Sequence, residues 1–414
     1  MLVVLGNGFD LQCGLRSDYK SYFDYRYKNI LFQSFIAAVN EIRKLRLNET
    51  TNLLTDYNIR VSLTNFMRQY SELIFDTFSF WDIVFILERT SLTNDNWYSI
   101  ENMIQDYIVN DKVTLSKLKP QKNELVSSKS NDDTSLVLTI ASILLEYKQL
   151  QFSQVGFNAW LQGQLLIIEE SFKDYLNITL NDIPFYNNKA QQLFYRLISK
   201  DVNEVPAIIS FNYTTPQLVS LRSGIQYSID NVINVHGKIS DKIIFGIDEK
   251  IVKTKAYLEP SDLKYSFTKT SRQMFDLDES RGFKLTTFKF DNSIIFYGHS
   301  LNYQDYSYFQ SIFDYYNIYS SDIKLVFAYS IFDKRVKIKS ILIDSVIKLI
   351  KEYGTTMQNT NHGSNLLHKL ILENRIILKN IDSINDVDNF NFIVWNESNK
   401  EWKKWTNILK QMIS

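Results

Sequence analysis

Polar and glycine-bearing segments follow five apolar, mostly β-branched runs, at the point where each run ends. They are Gly6-Asn7-Gly8-Phe9-Asp10, Ser210-Phe211-Asn212-Tyr213-Thr214, Val235-His236-Gly237, Phe245-Gly246-Ile247-Asp248 and Tyr297-Gly298-His299-Ser300-Leu301. The apolar runs have the length and composition of buried parallel strands. Because ligands bind beyond the carboxyl ends of the strands in open α/β sheets, we expect the five segments to line one crevice.

Acid–base chemistry in this set depends on His236, one of four histidines in the chain. An imidazole titrates near neutrality, which suits a general base. Asn212 could orient a water molecule or a sugar hydroxyl through its amide dipole. His299 is either an ordinary loop residue or a contact to the ligand, and the sequence leaves both roles open. We expect His362 and His368, in an Asn-rich helical segment, to be solvated or structural.

The glycines of the first segment predict a phosphate-binding turn. A strand that ends in Gly6-Asn7-Gly8 places backbone amides at the start of the following helix, where the helix dipole favours a pyrophosphate. Gly14 comes six residues after Gly8, so the spacing departs from G-x-G-x-x-G. A tight strand-to-helix turn without a ligand is the alternative. Asp10, at the predicted helix start, could cap local amides or face a ligand.

The elements that must position these segments form two patterns along the chain. Short strand-like runs occupy residues 2–5, 207–211, 232–235, 243–245, 294–297 and 324–327, with two more at 376–378 and 392–395. Between residues 15 and 155 there is no glycine, and apolar spacing predicts helices over residues 19–47, 63–89, 97–109 and 135–150. Helical spacing continues over residues 151–172 and 189–199.

These patterns predict an α/β fold: a Rossmann-like, doubly wound parallel sheet with a large helical insertion after its first βα unit. Residues 1–19 and 200–335 then form a nucleotide-binding α/β domain, and residues 20–199 form the helical insertion. Residues 336–414 complete the sheet or form an appendage. Residues 119–134, rich in serine and charge, predict a mobile loop.

Composition and charge exclude several classes of protein. The 414 residues carry 46 Lys and Arg against 46 Asp and Glu, which disfavours nucleic acid as a partner. A single cysteine excludes a disulfide framework and a four-cysteine zinc site, and we expect no metal. No apolar run reaches the roughly 18 residues of a membrane span, and no signal peptide is recognisable. We therefore expect a cytoplasmic protein without a membrane partner.

The order of the five segments resembles the sirtuin-type NAD-binding domain, in which a GAG…GIP loop is followed by TQN, HG, FGE and GTSL segments. Asn212 matches the TQN asparagine, His236-Gly237 the catalytic HG, Gly246 the FGE, and Gly298, Ser300 and Leu301 the GTSL. More narrowly, the strings GNGFD, FNYT, HG, FGID and YGHSL, followed by Asp305, resemble the bacteriophage abortive infection AbiH family over roughly residues 1–335. Trp97 and Glu101, spaced as W-x-x-x-E, also match that family.

The chain departs from the sirtuin pattern in several places. It lacks the four-cysteine zinc module, so protein deacetylation is not expected. Phe211 stands where sirtuins have glutamine, Thr214 where they have aspartate, and Asp10 where a serine is usual. The contacts to the ribose and the nicotinamide are therefore expected to differ in detail.

The resemblance implies an anti-phage abortive-infection protein that binds NAD+ as its substrate and hydrolyses it to nicotinamide and ADP-ribose. It assigns His236 and Asn212 to catalysis. The residues that it assigns to binding are Gly6, Asn7 and Gly8 at the pyrophosphate, Ser300 and Asp305 near the adenosine-side ribose, and Phe9, Asp10, Gly14, Gly237, Gly246, Asp248, Gly298 and His299. For Asp10 two roles are open, as a helix cap or as a contact to the nicotinamide ribose.

Other functions remain open from the sequence. One alternative is a non-catalytic sensor of NAD or ADP-ribose that signals through a partner, and another is a hydrolase or nuclease acting on another nucleotide. The expected partner is a small-molecule nucleotide. The sequence is also compatible with a phage-encoded trigger and with a homo-oligomer. Trp97 and Glu101 share a helix face, so this element either anchors the insertion or brings a glutamate over the crevice.

Overall fold

A parallel sheet forms the centre of the chain in a computed structural model that describes residues 1–47, 56–91, 100–118, 133–198, 205–222, 225–229, 231–251, 256–274, 292–331 and 337–382. The strands are β1 (Leu2–Leu5), β2 (Ala207–Ser210), β3 (Val219–Arg222), β4 (Ile225–Ser228), β5 (Val232–Asn234), β6 (Lys250–Ile251), β7 (Ala256–Tyr257), β8 (Ser293–Tyr297), β9 (Lys324–Tyr329) and β10 (Ile376–Asn380). Six of them form one all-parallel sheet in the order β10-β9-β8-β1-β2-β5. Two antiparallel pairs, β3 with β4 and β6 with β7, lie outside it.

This strand order is that of a Rossmann-like sheet. Numbered along the chain, the six strands of the sheet lie in the order 3-2-1-4-5-6, and the order reverses beside β1. The expected α/β class with a doubly wound parallel sheet is therefore confirmed.

The helices are α1 (Gly8–Gln12), α2 (Tyr19–Arg26), α3 (Ile30–Leu47), α4 (Asp56–Tyr70), α5 (Phe80–Ser91), α6 (Ile100–Ile108), α7 (Asp133–Tyr147), α8 (Gln154–Asn181), α9 (Tyr186–Ile198), α10 (Lys269–Met274), α11 (Tyr306–Tyr315), α12 (Ile338–Gly354) and α13 (Thr360–Leu372). Short 3-10 helices span Leu263–Phe267 and Tyr303–Asp305. The expected helix over residues 19–47 is divided into α2 and α3 by a turn at residues 27–29. The expected helix over residues 63–89 is likewise divided into α4 and α5, because residues 71–79 are not helical.

Alternation along β1 divides the core of the sheet into two layers. Leu2 and Val4 pack in a cluster with α11, α12 and α13, whereas Val3 and Leu5 pack with α1 and α9. Both faces of β1 are buried, which is why its sequence is a continuous apolar run rather than an alternating one. Helix α9 falls within the residues assigned to the insertion from the sequence, but it packs on the sheet.

The other helices between β1 and β2 have a hydrophobic core of their own. Side chains of α2 to α8 form one buried cluster, which includes the fully buried Trp81 and Phe172. The same cluster takes in Tyr213, Phe245 and Phe267 from the segments that follow the strands. The insertion therefore packs directly against the loops at the carboxyl edge of the sheet.

The prediction of a strand at residues 243–245 is wrong. In the structure this buried segment makes a single bridge, between Ile243 and Gly237, and does not join the sheet. The Phe245 N–H donates to Glu169 Oε1 (2.6 Å), and the Phe245 carbonyl accepts from Arg272 Nη1 (2.7 Å). Side chains thus satisfy the backbone groups that a neighbouring strand would otherwise pair.

After β9 the chain adds one more strand to the sheet. β10 pairs in parallel with β9 from Ile376 to Asn380, so this part of the C-terminal segment completes the sheet. The run expected at residues 392–395, Trp97, and residues 119–132 of the expected loop lie outside the described residues.

Helices α12 and α13 cross at two glycines. A Cβ placed on Gly363 would lie 1.9 Å from the carbonyl oxygen of Gly354, and one on Gly354 would lie 2.3 Å from that of Gly363. Only glycine at both positions allows the two backbones to approach this closely.

We expect Gly363→Ala to lower the free energy of unfolding by about 1–3 kcal/mol or more, because the added methyl group must push the helices apart. Gly163→Ala in α8 is the matched control, since no heavy atom lies within 4 Å of the added Cβ. The control should be neutral or stabilising by up to about 1 kcal/mol, through helix propensity. Chemical denaturation of both variants tests this, and equal stabilities would contradict the proposed backbone contact.

Candidate functional site

A buried carboxylate, Asp305, joins the segments that follow β5 and β8. Its Oδ1 lies 2.6 Å from Lys269 Nζ and 3.0 Å from His236 Nε2, and its Oδ2 lies 3.3 Å from His299 Nε2. Lys269 Nζ also donates to the carbonyl of Gln304 (3.1 Å). The site thus brings together His236, His299 and Asp305, which the sequence suggested, with a lysine that it did not.

Ring contacts and one hydrogen bond fix the orientation of His299. Its Nδ1 accepts from the Leu301 N–H at 2.8 Å, so in the neutral ring the proton is on Nε2, which faces Asp305. Phe211 lies between the two histidines, with ring centroids 5.5 Å from His236 and 4.4 Å from His299. The phenylalanine at this position therefore packs both imidazoles edge-on.

Asp305, Lys269, His236 and His299 form the Asp305 cluster, in which the charges act on one another in a low-dielectric interior. Burial favours protonation of Asp305, but Lys269 and then His236 outweigh it and hold the Asp305 pKa well below its usual range. Burial and the Lys269 ammonium lower the pKa of His236, against the opposing effect of Asp305. The structure therefore presents a neutral imidazole beside an ionised carboxylate at neutral pH.

Among the described residues, the buried side-chain atoms without a hydrogen-bond partner include Asn212 Oδ1, His236 Nε2 and Gln304 Oε1. Asn212 and His236 are 3% and 5% exposed. The His236 nitrogen is close to Asp305, but the two groups are not oriented as a hydrogen bond. Ser210 of β2 pairs with Asn234 of β5, so Asn212 and His236 stand at equivalent positions beyond neighbouring strands. Unsatisfied buried polar atoms are rare in native proteins and indicate a functional site or an absent ligand.

Asp10 ties the first segment to the second. Thr214 Oγ1 donates to Asp10 Oδ2 (2.7 Å), and the Tyr186 hydroxyl donates to Oδ1 (2.7 Å). Asp10 therefore does not act as a helix cap through its side chain. Burial raises the pKa of Asp10 to about 6, although both hydroxyl bonds oppose the shift.

The glycines of the first segment pack against the segment after β8. A Cβ on Gly6 would lie 2.4 Å from the Cα of His299, and one on Gly8 would lie 2.7 Å from the Cα of Gly298. The Gly6 N–H donates to Tyr297 O and the Gly8 N–H to Gly298 O. These amides already have partners within the chain, so these glycines serve the close approach of the two loops. Whether the turn also holds a pyrophosphate stays a prediction.

The remaining residues predicted to bind a ligand have several local roles. Asn7 is hydrogen-bonded to Ser17, Phe9 is buried, and Ser300 is exposed. Two of the glycines have a positive φ: Gly14, at +93°, follows the last turn of α1, and Gly237, at +81°, packs on the carbonyl oxygen of Lys242. Gly246 faces the backbone of Lys269. Asp248 accepts from the N–H (2.9 Å) and hydroxyl (2.6 Å) of Ser307, in the first turn of α11. The Asp248 carboxylate therefore stabilises the start of that helix.

The insertion contributes Glu101 to the same region. Glu101 is buried in α6, and its Oε1 accepts from the Tyr19 hydroxyl at 2.9 Å. The next residue, Asn102, accepts from Tyr303 (2.7 Å) and from Gln304 Nε2 (2.7 Å), directly before Asp305. Asn102 thus holds α6 against the turn before Asp305, and a role for Glu101 over the crevice stays a prediction.

Sequence reasoning missed Lys269, Arg272 and Glu169. Arg272 Nη2 bonds Glu169 Oε2 at 2.8 Å, and together they hold the backbone of Phe245. Each lies on a helix about 20 to 100 residues from its partners, with no glycine or motif beside it. No pattern in the sequence therefore marks these three residues.

The described residues contain no group of three or more His, Cys, Asp or Glu side chains placed to hold a metal ion. In the Asp305 cluster the cation in contact with the carboxylate is the ammonium of Lys269. Within the same part of the chain, no helix has the length and apolar character needed to cross a membrane.

We expect Lys269→Met to raise the pKa of His236, because the ammonium that disfavours imidazolium is removed while Asp305 remains. Lys269→Arg should keep the His236 pKa low. With four histidines in the chain, NMR of ¹³Cε1-labelled histidine can follow each ring as pH changes. Lys348→Met, on the exposed surface of α12, is the control. An unchanged His236 titration in Lys269→Met would show that the ion pair does not act on this ring.

The Asp10 carboxyl makes a second pH effect testable. Its folded-state pKa of about 6 exceeds the ordinary value of 3.8, so its contribution to stability is complete below about pH 4 and is lost as pH rises through about 6. Relative to Asp10→Asn, the wild-type free energy of unfolding should fall by about 3 kcal/mol between pH 4 and pH 7. Denaturant titrations of both proteins measure it, with exposed Asp174→Asn as the control. A constant difference would refute the shift.

The comparison with family sequence models gives one match. The model described as bacteriophage abortive infection AbiH matches residues 2–329, which covers the sheet through β9, the insertion and the Asp305 cluster. Searches of curated proteins and of solved structures give no match. Since the matched residues make up well over half of its length, the chain belongs to the bacteriophage abortive infection AbiH family.

Proposed function

We propose that this AbiH protein acts in anti-phage abortive infection by binding NAD+ through a sirtuin-like α/β domain and hydrolysing it to nicotinamide and ADP-ribose. Loss of NAD+ in an infected cell would stop host metabolism and phage production together. The family supports the defence role. The nucleotide chemistry is inferred from the site.

The observation that carries the proposal is the pair of unpartnered atoms, Asn212 Oδ1 and His236 Nε2, at the carboxyl edge of the sheet. A buried amide oxygen without a donor loses about 1–3 kcal/mol relative to a satisfied one. A ribose hydroxyl or a water molecule would supply the missing hydrogen. Both residues follow adjacent strands of a Rossmann-ordered sheet, where nucleotides bind.

The protonation state of the site suits cleavage of the bond between nicotinamide and ribose. Nicotinamide leaves as a neutral molecule from a cationic ring, so the reaction needs no general acid. It proceeds through an oxocarbenium-like centre, as glycoside hydrolysis does, and requires an activated water. His236 supports that role, because burial and Lys269 lower its pKa and so favour the neutral base. Asn212 would orient the water or the ribose.

The departures from the sirtuin pattern compensate for one another in this proposal. Asp10 and Thr214 stand where sirtuins have serine and aspartate, and here they are bonded to each other at 2.7 Å. The carboxylate and the hydroxyl have exchanged segments, and in this chain their hydrogen bond links the first and second loops. This supports a sirtuin-like arrangement of the two loops around the ligand.

A matched set of variants tests the proposal. We expect His236→Ala and Asn212→Ala each to lower nicotinamide release from NAD+ by at least about 100-fold, the usual contribution of a positioned base or dipole. Asn365→Ala and His368→Ala, at exposed positions of α13, should retain wild-type rates. Because Asn212 Oδ1 has no protein partner, its removal should not lower stability.

Purified protein with NAD+, followed by chromatography of nicotinamide, measures the rates, and plaque counts on cells carrying each variant measure protection. Wild-type rates in both site variants would show that the assigned residues are wrong. Tight NAD+ binding without nicotinamide release, even with phage lysate added, would instead favour a non-catalytic sensor.

A further inference from the structure

Two buried carboxylates, Asp305 and Glu101, lie near one buried cation, Lys269. Among the described residues four cationic side chains are buried: Arg26, Lys269, Arg272 and Arg375. Arg26 bonds Asp82, Arg272 bonds Glu169, and Arg375 bonds Glu373. Lys269 bonds Asp305, and the Glu101 carboxylate also acts on the charge of this ammonium.

The effect of Glu101 reaches the site residues. Burial opposes the charge on Lys269, but Asp305 and then Glu101 outweigh it and raise the Lys269 pKa. Burial and Lys269 lower the His236 pKa, and Glu101 opposes this shift with a smaller effect than Asp305. Its neighbour Asn102 is bonded to Tyr303 and Gln304, so α6 lies against the turn that ends at Asp305.

The other buried carboxylates near the sheet edge are compensated differently. Asp248 accepts a backbone N–H and a hydroxyl at the start of α11, and Asp10 accepts two hydroxyls. Glu101 accepts one hydroxyl, that of Tyr19. Of these three carboxylates, Glu101 has the fewest hydrogen-bond donors. The buried, unpartnered atoms of Asn212 and His236 lie in the same region, which points to a bound ligand there rather than to an acidic surface.

We propose that Glu101 of the helical insertion is a specificity-determining residue, which makes the site select the cationic nicotinamide ring of NAD+ over the neutral ring of NADH. The inference rests on the proposed function, because it assumes that a nicotinamide nucleotide is the ligand. This proposal places Asp305, which lies 3.0 Å from the proposed base His236, at the nicotinamide end of the site and not at the adenosine-side ribose. A cationic ring near Glu101 and Asp305 balances the second carboxylate, whereas a neutral ring leaves that carboxylate buried without a counter-charge. The insertion thereby supplies part of the binding site.

Binding of two ligands of nearly equal shape tests the charge effect apart from catalysis. One is carba-NAD+, in which a methylene group replaces the ring oxygen of the nicotinamide ribose, so that the cationic ring is kept and cleavage is prevented. The other is NADH. Isothermal titration calorimetry gives both affinities for the wild type, Glu101→Gln, Glu101→Asp and the control Glu88→Gln. Glu88 is a matched control because it also accepts from a tyrosine, Tyr107 (2.8 Å), in the insertion.

We expect the wild type to prefer carba-NAD+, and Glu101→Gln to bind it about tenfold more weakly while its affinity for NADH changes by less than about twofold. Glu101→Asp should retain the preference, and Glu88→Gln should match the wild type. Equal affinities of the wild type for the two ligands would overturn the inference. So would an equal loss for both ligands in Glu101→Gln, or the same loss in Glu88→Gln.

The two proposals can fail separately. Nicotinamide release from NAD+ by the wild type tests hydrolysis, and the ratio of the two affinities tests selectivity. If selectivity depends on Glu101 but no nicotinamide is released, hydrolysis is refuted and the inference stands for a binding site. If the wild type binds neither ligand, both proposals are refuted.

Discussion

The ion pair between Lys269 and Asp305 is the interaction on which the site depends. At 2.6 Å in the protein interior it compensates two charges that would each be costly to bury alone. The carboxylate also lies within 3.3 Å of a nitrogen of His236 and of His299. Loops that follow β5 and β8, and the short α10, therefore meet at one group. Removing Lys269 would leave the Asp305 carboxylate buried without its ammonium partner.

A second buried pair connects the insertion to the sheet. Glu169 of α8 and Arg272 of α10 bond each other and both backbone groups of Phe245. Burial raises the pKa of Glu169 to about 7, against the opposing effect of Arg272. Because α10 carries both Arg272 and Lys269, the docking of the insertion and the position of the Asp305 partner are coupled. The insertion is part of the architecture of the site and not a separate attachment.

Loop contacts explain residue choices that the motifs alone do not. Gly6, Gly8 and Gly298 permit two loops to approach at distances that a Cβ would not allow. The bonds from Thr214 and Tyr186 to Asp10 hold the first segment to the second and to α9. These contacts hold the first, second and fifth segments together at the edge of the sheet. The unpartnered atoms of Asn212 and His236 lie at the same edge.

The sequence by itself determined the six strands of the main sheet and their order along the chain. Apolar runs such as that of β1 and the helical spacing of α4 to α8 are local patterns, and the turns after β2, β5 and β8 could be located from them. The sequence could not place Lys269 or Arg272, and it wrongly predicted a strand at residues 243–245. The groups that bond to these residues are distant from them in the sequence. The pairing of Lys269 with Asp305, of Glu169 with Phe245 and of Glu101 with Tyr19 was decided only by the tertiary structure. Local patterns report which side chains are buried, whereas the compensation of a buried charge depends on which distant group packs beside it.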